Sequence, residues 1–83
     1  MYKRQIDGQF IKTLTTNALD HAAVRCFRDV AQVLGLRTIA EFVEDEATVT
    51  ELRRIGVDFA QGYLVHRPEP LEVALNLLDA QTA

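Results

Sequence analysis

The sequence predicts an α/β fold with parallel strands, and two observations lead to that prediction. Short runs rich in β-branched and aromatic residues alternate three times with longer runs in which apolar residues recur every three or four positions. This order implies parallel strands joined by right-handed crossover helices. Three such strands leave sheet edges open, whereas parallel sheets are normally buried on both faces. The 83 residues therefore predict one domain, 1–83, that is part of a larger α/β architecture.

The first unit is predicted as a strand at 2–6, which ends at the turn signal Asp7–Gly8. A loop or short helical turn precedes a long helix at 19–34, and Gly35 is placed to end that helix. The positions expected to face the core share helical spacing: Phe10, Ile11 and Leu14 before the helix, and Ala23, Val24, Phe27, Val30, Ala31 and Leu34 within it.

The second and third units repeat this order. A strand at 37–43 precedes a helix at 44–56, with acids in its first turn and arginines in its last, as the helix dipole favours, and Gly56 is placed to end it. A third strand is predicted at 58–65, and Pro68 and Pro70 mark a turn into a last helix. The apolar faces of these helices are Val49, Leu52 and Ile55, and then Leu71, Ala74, Leu77 and Leu78.

Composition excludes several classes of protein. The net charge of -3 and the lack of a basic block argue against binding to nucleic acid or to an anionic membrane surface. No apolar run approaches the length of a membrane span, and the first ten residues lack the apolar core of a signal peptide. Cys26 is the one cysteine, so it cannot form an internal disulfide, and it is expected to be a small apolar residue. These features predict a cytoplasmic protein.

Polar side chains follow the predicted strands at their carboxyl ends, where parallel α/β folds gather functional groups. Asp7 follows the first strand, Glu41 and Glu44 lie in or after the second, and Gln61 lies in the third with Arg67 beyond it. Carboxylate and amide oxygens at one rim suit a divalent cation, or a water positioned for attack on phosphorus. Arg67 could contact a phosphate or a carboxylate.

Glu41 is the least expected of these acids because its neighbours suit a strand buried on both faces. A carboxylate there costs several kcal/mol unless it is paired, metal-bound or at a wet edge. Composition alone leaves a structural and a functional interpretation equally open. For Asp45 and Glu46, a simple role at a helix N-terminus is favoured, and the two histidines, His21 and His66, are expected in surface or capping roles.

Three short motifs resemble one family. Ile-Asp-Gly at 6–8, Ala-Glu-Phe-Val-Glu at 40–44 and Gln-Gly-Tyr at 61–63 are similar to the C-terminal portion of the EAL domain, in the same order and at similar intervals. That family comprises bacterial cyclic di-GMP phosphodiesterases, and the resemblance covers roughly residues 2 to 72. It implies that the chain forms the last three βα units of a modified TIM barrel.

The resemblance also implies site roles. The family hydrolyses one phosphodiester of cyclic di-GMP to linear pGpG with Mg²⁺ or Mn²⁺. Glu41 and Asp7 match acids at the metal and water site, Glu44 matches a supporting acid, and Gln61 matches a pocket glutamine. Gln5 stands where the family has a lysine that orients the attacking water. Phe42 occupies a position where the family often has glycine.

The departures from the family predict an inactive chain. The Glu-Ala-Leu motif and the metal ligands of the intermediate strands are absent, and Lys3 lies about 6.6 Å along the strand from Gln5, toward the wrong end of the barrel. We therefore expect no stably bound metal and weak or lost binding of cyclic di-GMP. The expected partners are the missing N-terminal part of the barrel or a second copy, because three parallel strands would leave Ile39, Phe59 or their alternating neighbours without cover. The alternative is a non-catalytic, EAL-derived interaction or regulatory module.

Overall fold

Strands and helices alternate along the residues that the structure, a computed structural model, describes: 3–62 and 67–82. In chain order the elements are β1 (Lys3–Ile6), α1 (Gly8–Lys12), α2 (Ala18–Val33), β2 (Arg37–Ala40), α3 (Glu46–Ile55), β3 (Phe59–Ala60), β4 (Glu69–Pro70) and α4 (Leu71–Thr82). The predicted alternation of strands and helices is therefore present. The second strand is shorter than predicted, since it ends at Ala40 and not at residue 43. Residues 63–65 of the predicted third strand lie outside the described ranges.

The four strands form one sheet in the order β1-β2-β3-β4. β1, β2 and β3 are parallel, and their register places Gln5 beside Ile39 and Ile39 beside Phe59. β4 runs antiparallel to β3, where the two prolines had predicted only a turn. Pro70 is tolerated there because β4 lies at the edge of the described sheet. Its missing N–H does not remove a hydrogen bond between inner strands.

Helix ends follow the local chemistry of the sequence. Asn17 caps α2 by accepting hydrogen bonds from the backbone N–H groups of Leu19 and Asp20. Gly35 and Gly56 follow α2 and α3 with φ of 73° and 102°, the left-handed conformation that glycine adopts without steric cost. Both predicted stop signals are confirmed, and they set where β2 and β3 begin.

The core lies between the sheet and its crossover helices. Ile6, Ala40 and Ala60 share one row of the sheet, and all are buried. The predicted apolar faces of α3 and α4 are largely confirmed, with Leu77 as the exposed exception. The cluster contains Ile6, Ile11, Leu14, Val24, Ala40, Val43, Val49, Leu52, Val57, Ala60, Leu71, Ala74 and Leu78.

The predicted core face of α2 is only partly correct. Val24 and Ala31 are buried, but Val30 is 54% and Leu34 65% exposed, and Phe27 is exposed as well. Helical spacing identifies the apolar face of α2. That face is wider than the part of the sheet that lies beside it, so some of its residues stay exposed. These exposed residues flank a cavity of about 700 Å³ that also touches β1, the other edge of the sheet.

One further expectation about burial is wrong. Ile39 is buried and not uncovered, because it lies on β2 between Gln5 and Phe59, and the Lys3 ammonium lies 4.4 Å from the centroid of the Phe59 ring. Phe59 itself is half-buried. Cys26, expected to be a small apolar residue, is exposed.

Candidate functional site

The carboxyl end of β2 contains a looped-out pair of residues. The Gln61 backbone N–H donates to the Ala40 carbonyl at 2.9 Å, and the Val43 N–H donates to the Gln61 carbonyl at 3.0 Å. Gln61 therefore pairs with Ala40 and Val43, the residues on either side of Glu41 and Phe42. Glu41 and Phe42 loop out of the hydrogen-bonded ladder, as the extra residue does in a β-bulge. Such interruptions redirect side chains at the ends of strands.

Gly62 makes this backbone arrangement possible. A Cβ atom at position 62 would lie 1.9 Å from the Val43 carbonyl oxygen, which is far inside any van der Waals contact. The two chain segments approach so closely that no larger residue fits without moving the backbone. The glycine of the Gln-Gly-Tyr motif is thus required by packing between the end of β3 and the chain after β2.

A cavity of about 450 Å³ opens at this rim. Its lining includes four of the residues predicted from the sequence, and two that were not assigned to the site, Phe42 and Gly62. The four are Gln5, Glu41, Glu44 and Gln61. They come from β1, from the looped-out pair, from the segment before α3 and from the chain after β3, so the parallel register brings them together.

The unexpected position of Glu41 has a structural explanation. Glu41 does not lie within the strand; it follows the last strand residue, Ala40, and its side chain is half-exposed at the cavity wall. Across residues 3–62 and 67–82, no hydrogen bond or ion pair reaches the carboxylate of Glu41 or of Glu44. The wet edge of the sheet, and not a buried partner, makes the charge of Glu41 tolerable.

Two predicted site residues have other contacts in this structure. Asp7 is the N-cap of α1, where one carboxylate oxygen accepts a hydrogen bond from the Gln9 N–H at 2.9 Å. The Arg67 side chain is 87% exposed, and its Nε lies 3.6 Å from a Glu69 carboxylate oxygen. Neither Asp7 nor Arg67 lines the cavity. Their roles in a site remain predictions.

The structural interpretation of the acids before α3 is confirmed for Asp45. Its carboxylate accepts a hydrogen bond from the Thr48 N–H at 2.7 Å, as an N-cap does. His21 lies on α2, with Nε2 3.2 Å from the Glu51 carboxylate of α3, which fits a role at the surface between helices. His66 and Tyr63 lie outside the described residues.

Phe42 was missed as a site residue, although the sequence contained a signal. Its φ is 59°, in the left-handed region that side chains rarely adopt. The resemblance to the EAL family implies a glycine at this position, and a glycine position is one where such a conformation can be expected. In the structure, Phe42 forms part of the cavity wall.

The parallel strands, the crossover helices and the polar cavity at the carboxyl ends of the strands define a section of a (β/α) barrel with a site at its rim. The particular family follows from comparison of sequences. The chain belongs to the EAL family, because the EAL domain profile matches residues 5–68.

Curated relatives agree with this assignment. The chain is 48% identical over 67 residues to the cyclic di-GMP phosphodiesterase PdeB of Shewanella oneidensis, which covers 81% of this chain and 8% of that protein. It is 45% identical over 67 residues to the probable cyclic di-GMP phosphodiesterase PdeA of Escherichia coli, covering 81% of this chain and 9% of that protein. The chain therefore spans less than a tenth of the length of these two relatives.

Solved structures show the same architecture. The EAL domain of Mycobacterium smegmatis DcpA superposes with a TM-score of 0.73 at 32% identity, over 96% of this chain and 36% of that one. The PaMucR phosphodiesterase in complex with c-di-GMP superposes with a TM-score of 0.73 at 36% identity, over 89% and 30% of the two chains. The predicted fold, a partial EAL barrel, is confirmed.

Membership of the EAL family fits a general requirement for a divalent metal, and the cavity offers oxygen donors of the right kind for one. However, no group of three or more His, Cys, Asp or Glu side chains able to hold a metal occurs within the described ranges. The described residues by themselves therefore do not make up a complete metal centre. In the described part of the chain, no helix is long and apolar enough to cross a membrane.

Proposed function

We propose that this chain supplies the C-terminal section of the active site of a cyclic di-GMP phosphodiesterase, and that it is inactive without the rest of the barrel. One observation carries the proposal: Gln5, Glu41, Glu44 and Gln61 line one cavity at the carboxyl ends of neighbouring strands. The relatives named as cyclic di-GMP phosphodiesterases indicate the substrate.

In the proposed reaction, water attacks one phosphorus atom of cyclic di-GMP, the bond from phosphorus to the 3′ oxygen breaks, and linear pGpG results. Glu41 and Asp7 are the acids proposed for the metal and water site, while Glu44, Gln61 and Arg67 are proposed to contact the substrate. Mg²⁺ or Mn²⁺ belongs to the proposal only for an intact domain, with its remaining ligands supplied by the rest of the barrel.

Gln5 should lower the activity of even a completed barrel, relative to a barrel with lysine at this position. A neutral amide donates hydrogen bonds but supplies no positive charge to a phosphate in the transition state. Loss of one such electrostatic contact typically costs about a hundredfold or more in rate. Gln5→Lys should therefore raise the rate of a completed barrel by about that factor.

A chimera tests these roles. Residues 5–68 of this chain replace the matching segment of PdeB from Shewanella oneidensis, and pGpG formation is followed by chromatography. Glu41→Gln should abolish activity, Gln5→Lys should increase it, and Asp29→Asn, which alters an exposed acid on α2, should leave it unchanged. If the Glu41→Gln chimera folds and retains full activity, the assignment of Glu41 fails.

The isolated chain is tested separately by calorimetric titration with cyclic di-GMP and Mg²⁺ or Mn²⁺. We expect weak binding that depends on Glu41, and no pGpG. Hydrolysis by the isolated chain would contradict the proposed inactivity.

A non-catalytic interaction module is a second candidate function. It is favoured by the open edge of the sheet at β1 and by the exposed apolar face of α2 beside it. β1 has β2 as its one neighbour in the described sheet, and the exposed residues Phe27, Val30 and Leu34 lie beside it at the 700 Å³ cavity. An open edge and an apolar helix face together suit a second copy or the missing strands of a barrel. A monodisperse, well-folded monomer in light scattering would contradict self-association.

A further inference from the structure

Phe42 is an exposed aromatic residue in a strained conformation. Its φ of 59° lies in the left-handed region, which is sterically unfavourable for a residue with a side chain. Core packing does not account for that conformation, because Phe42 is 51% exposed and does not belong to the hydrophobic cluster. Strained residues of this kind are concentrated at functional sites, so the observation points to a use for the exposed ring.

The ring of Phe42 is held on α1. A Cβ atom built on Gly8 would lie 1.6 Å from Cδ2 of Phe42, which shows that the ring fills the space of the missing side chain. The Lys12 ammonium lies 5.0 Å from the ring centroid. Because residues four apart share one side of a helix, Gly8 and Lys12 hold the ring from the same direction.

The remaining surface of the ring belongs to the cavity. Phe42 lines it together with Glu41, Glu44, Gln5 and Gln61. The carboxylate of Glu44, which is proposed to contact the substrate, is an acceptor for the N–H groups on the edge of a guanine base, and an aromatic face is a stacking surface for the base itself. The cationic Lys12 beside the ring also suits an anionic nucleotide.

We propose that Phe42 is a stacking platform for one guanine base of cyclic di-GMP. The left-handed backbone conformation of Phe42 directs its ring onto Gly8, whose lack of a side chain leaves room for the ring. The proposal rests on the proposed function, because it takes cyclic di-GMP as the ligand of this cavity. It adds a residue that recognises the base, separate from the acids that act at the phosphate.

The test is an NMR titration of the 83-residue chain with cyclic di-GMP, with the guanine H8 signal compared with that of the free ligand at the same concentration. Stacking on a phenyl ring shifts H8 upfield. Phe42→Leu should remove this shift and weaken binding about tenfold or more, as the worth of base stacking on an aromatic side chain implies. Phe42→Tyr should preserve both the shift and the affinity.

Matched variants separate stacking from folding. Phe42→Gly removes the ring and also the backbone strain, so it should lose the H8 shift while the chain stays folded. Gly8→Ala displaces the ring and should have the same effect on binding. Phe10→Leu changes another exposed phenylalanine, on α1 itself, and should leave the shift and the affinity unchanged.

The outcomes distinguish this inference from the proposed function. If the chain binds cyclic di-GMP and Phe42→Leu and Phe42→Gly leave both the H8 shift and the affinity unchanged, the stacking platform is wrong while ligand recognition by the cavity stands. If the chain shows no binding, the platform is overturned in this chain. Hydrolysis by the chimera then still decides, by itself, whether the acids act as proposed.

Discussion

The two ends of the central strands use their acids in opposite ways. At the amino end, one carboxylate oxygen of Asp58 accepts hydrogen bonds from the Thr38 N–H at 2.9 Å and the Thr38 hydroxyl at 3.3 Å. The Thr38 hydroxyl in turn accepts a hydrogen bond from the Asp58 N–H at 3.2 Å. At the carboxyl end, the carboxylates of Glu41 and Glu44 face a cavity and contact no hydrogen-bond donor in the part of the chain that is described.

This difference separates an acid that stabilises the fold from an acid that is available to a ligand. The Asp58 bonds satisfy the N–H of a residue that is almost fully buried, so they are part of folding. The carboxylates of Glu41 and Glu44 accept no hydrogen bond from a buried group in the described part of the chain. Removing them should therefore change the stability of the fold little. Acids that do not stabilise a fold, at the rim where α/β folds place their sites, are candidates for chemistry.

The largest effect is expected from Gly62→Ala, which forces the backbone to move at the carboxyl-end rim of the sheet. The added methyl group would overlap the Val43 carbonyl oxygen, and the resulting shift should lower the free energy of unfolding by about 3 kcal/mol. Urea denaturation measures the loss. Gly35→Ala is the matched control, because no atom lies within 4 Å of its added Cβ and only its φ of 73° is unfavourable, worth about 1 kcal/mol. Equal losses in the two variants would show that the close approach at Gly62 is unimportant.

The comparison between the two rims is tested directly by paired alanine substitutions. Asp58→Ala leaves the buried Thr38 N–H without its acceptor and should cost about 2 kcal/mol of stability. Glu41→Ala should change stability by no more than about 0.5 kcal/mol, as surface substitutions usually do. Both are measured by denaturation under the same conditions. A larger loss for Glu41→Ala than for Asp58→Ala would reverse the interpretation of the two rims.

A smaller effect, with a change of sign, is expected at Gly8. In the natural sequence, Gly8→Ala collides with the Phe42 ring and should destabilise the chain by about 1 kcal/mol. In a Phe42→Gly background the collision is absent, and the same change should be neutral or stabilising by up to about 0.5 kcal/mol, since alanine suits a helix better. A double-mutant cycle from denaturation curves gives the coupling. Additive effects would mean that the ring and Gly8 do not touch in solution.

The smallest effect is expected from Arg67→Ala. Its ion pair with Glu69 is exposed on the arginine side, and such pairs contribute little, so stability should change by less than about 0.5 kcal/mol. The informative measurement is the affinity of the chain for cyclic di-GMP in the same titration used for Phe42. A loss of affinity would bring Arg67 into the site, where the structure by itself does not place it.

Much of the site followed from sequence alone because it depends on strand order. Asp7, Glu41 and Gln61 lie at or beside the carboxyl ends of their strands, and parallel pairing brings such ends to one rim. The exposure of Val30 and Leu34 could not be predicted in the same way. Periodicity shows which side of a helix is apolar, but the width of the surface beside it depends on how many strands are present.

The sequence by itself determined the order of the three parallel strands and the helices between them, the helix stops at Gly35 and Gly56, the cap at Asp45 and the family, because these depend on local chemistry and on short motifs. Only the tertiary structure decided that Glu41 leaves the strand, that Phe42 adopts a left-handed conformation against Gly8, and that Asp58 and not Glu41 stabilises the fold. Those features arise where separate segments meet, and no local pattern records the space that two distant segments leave between them.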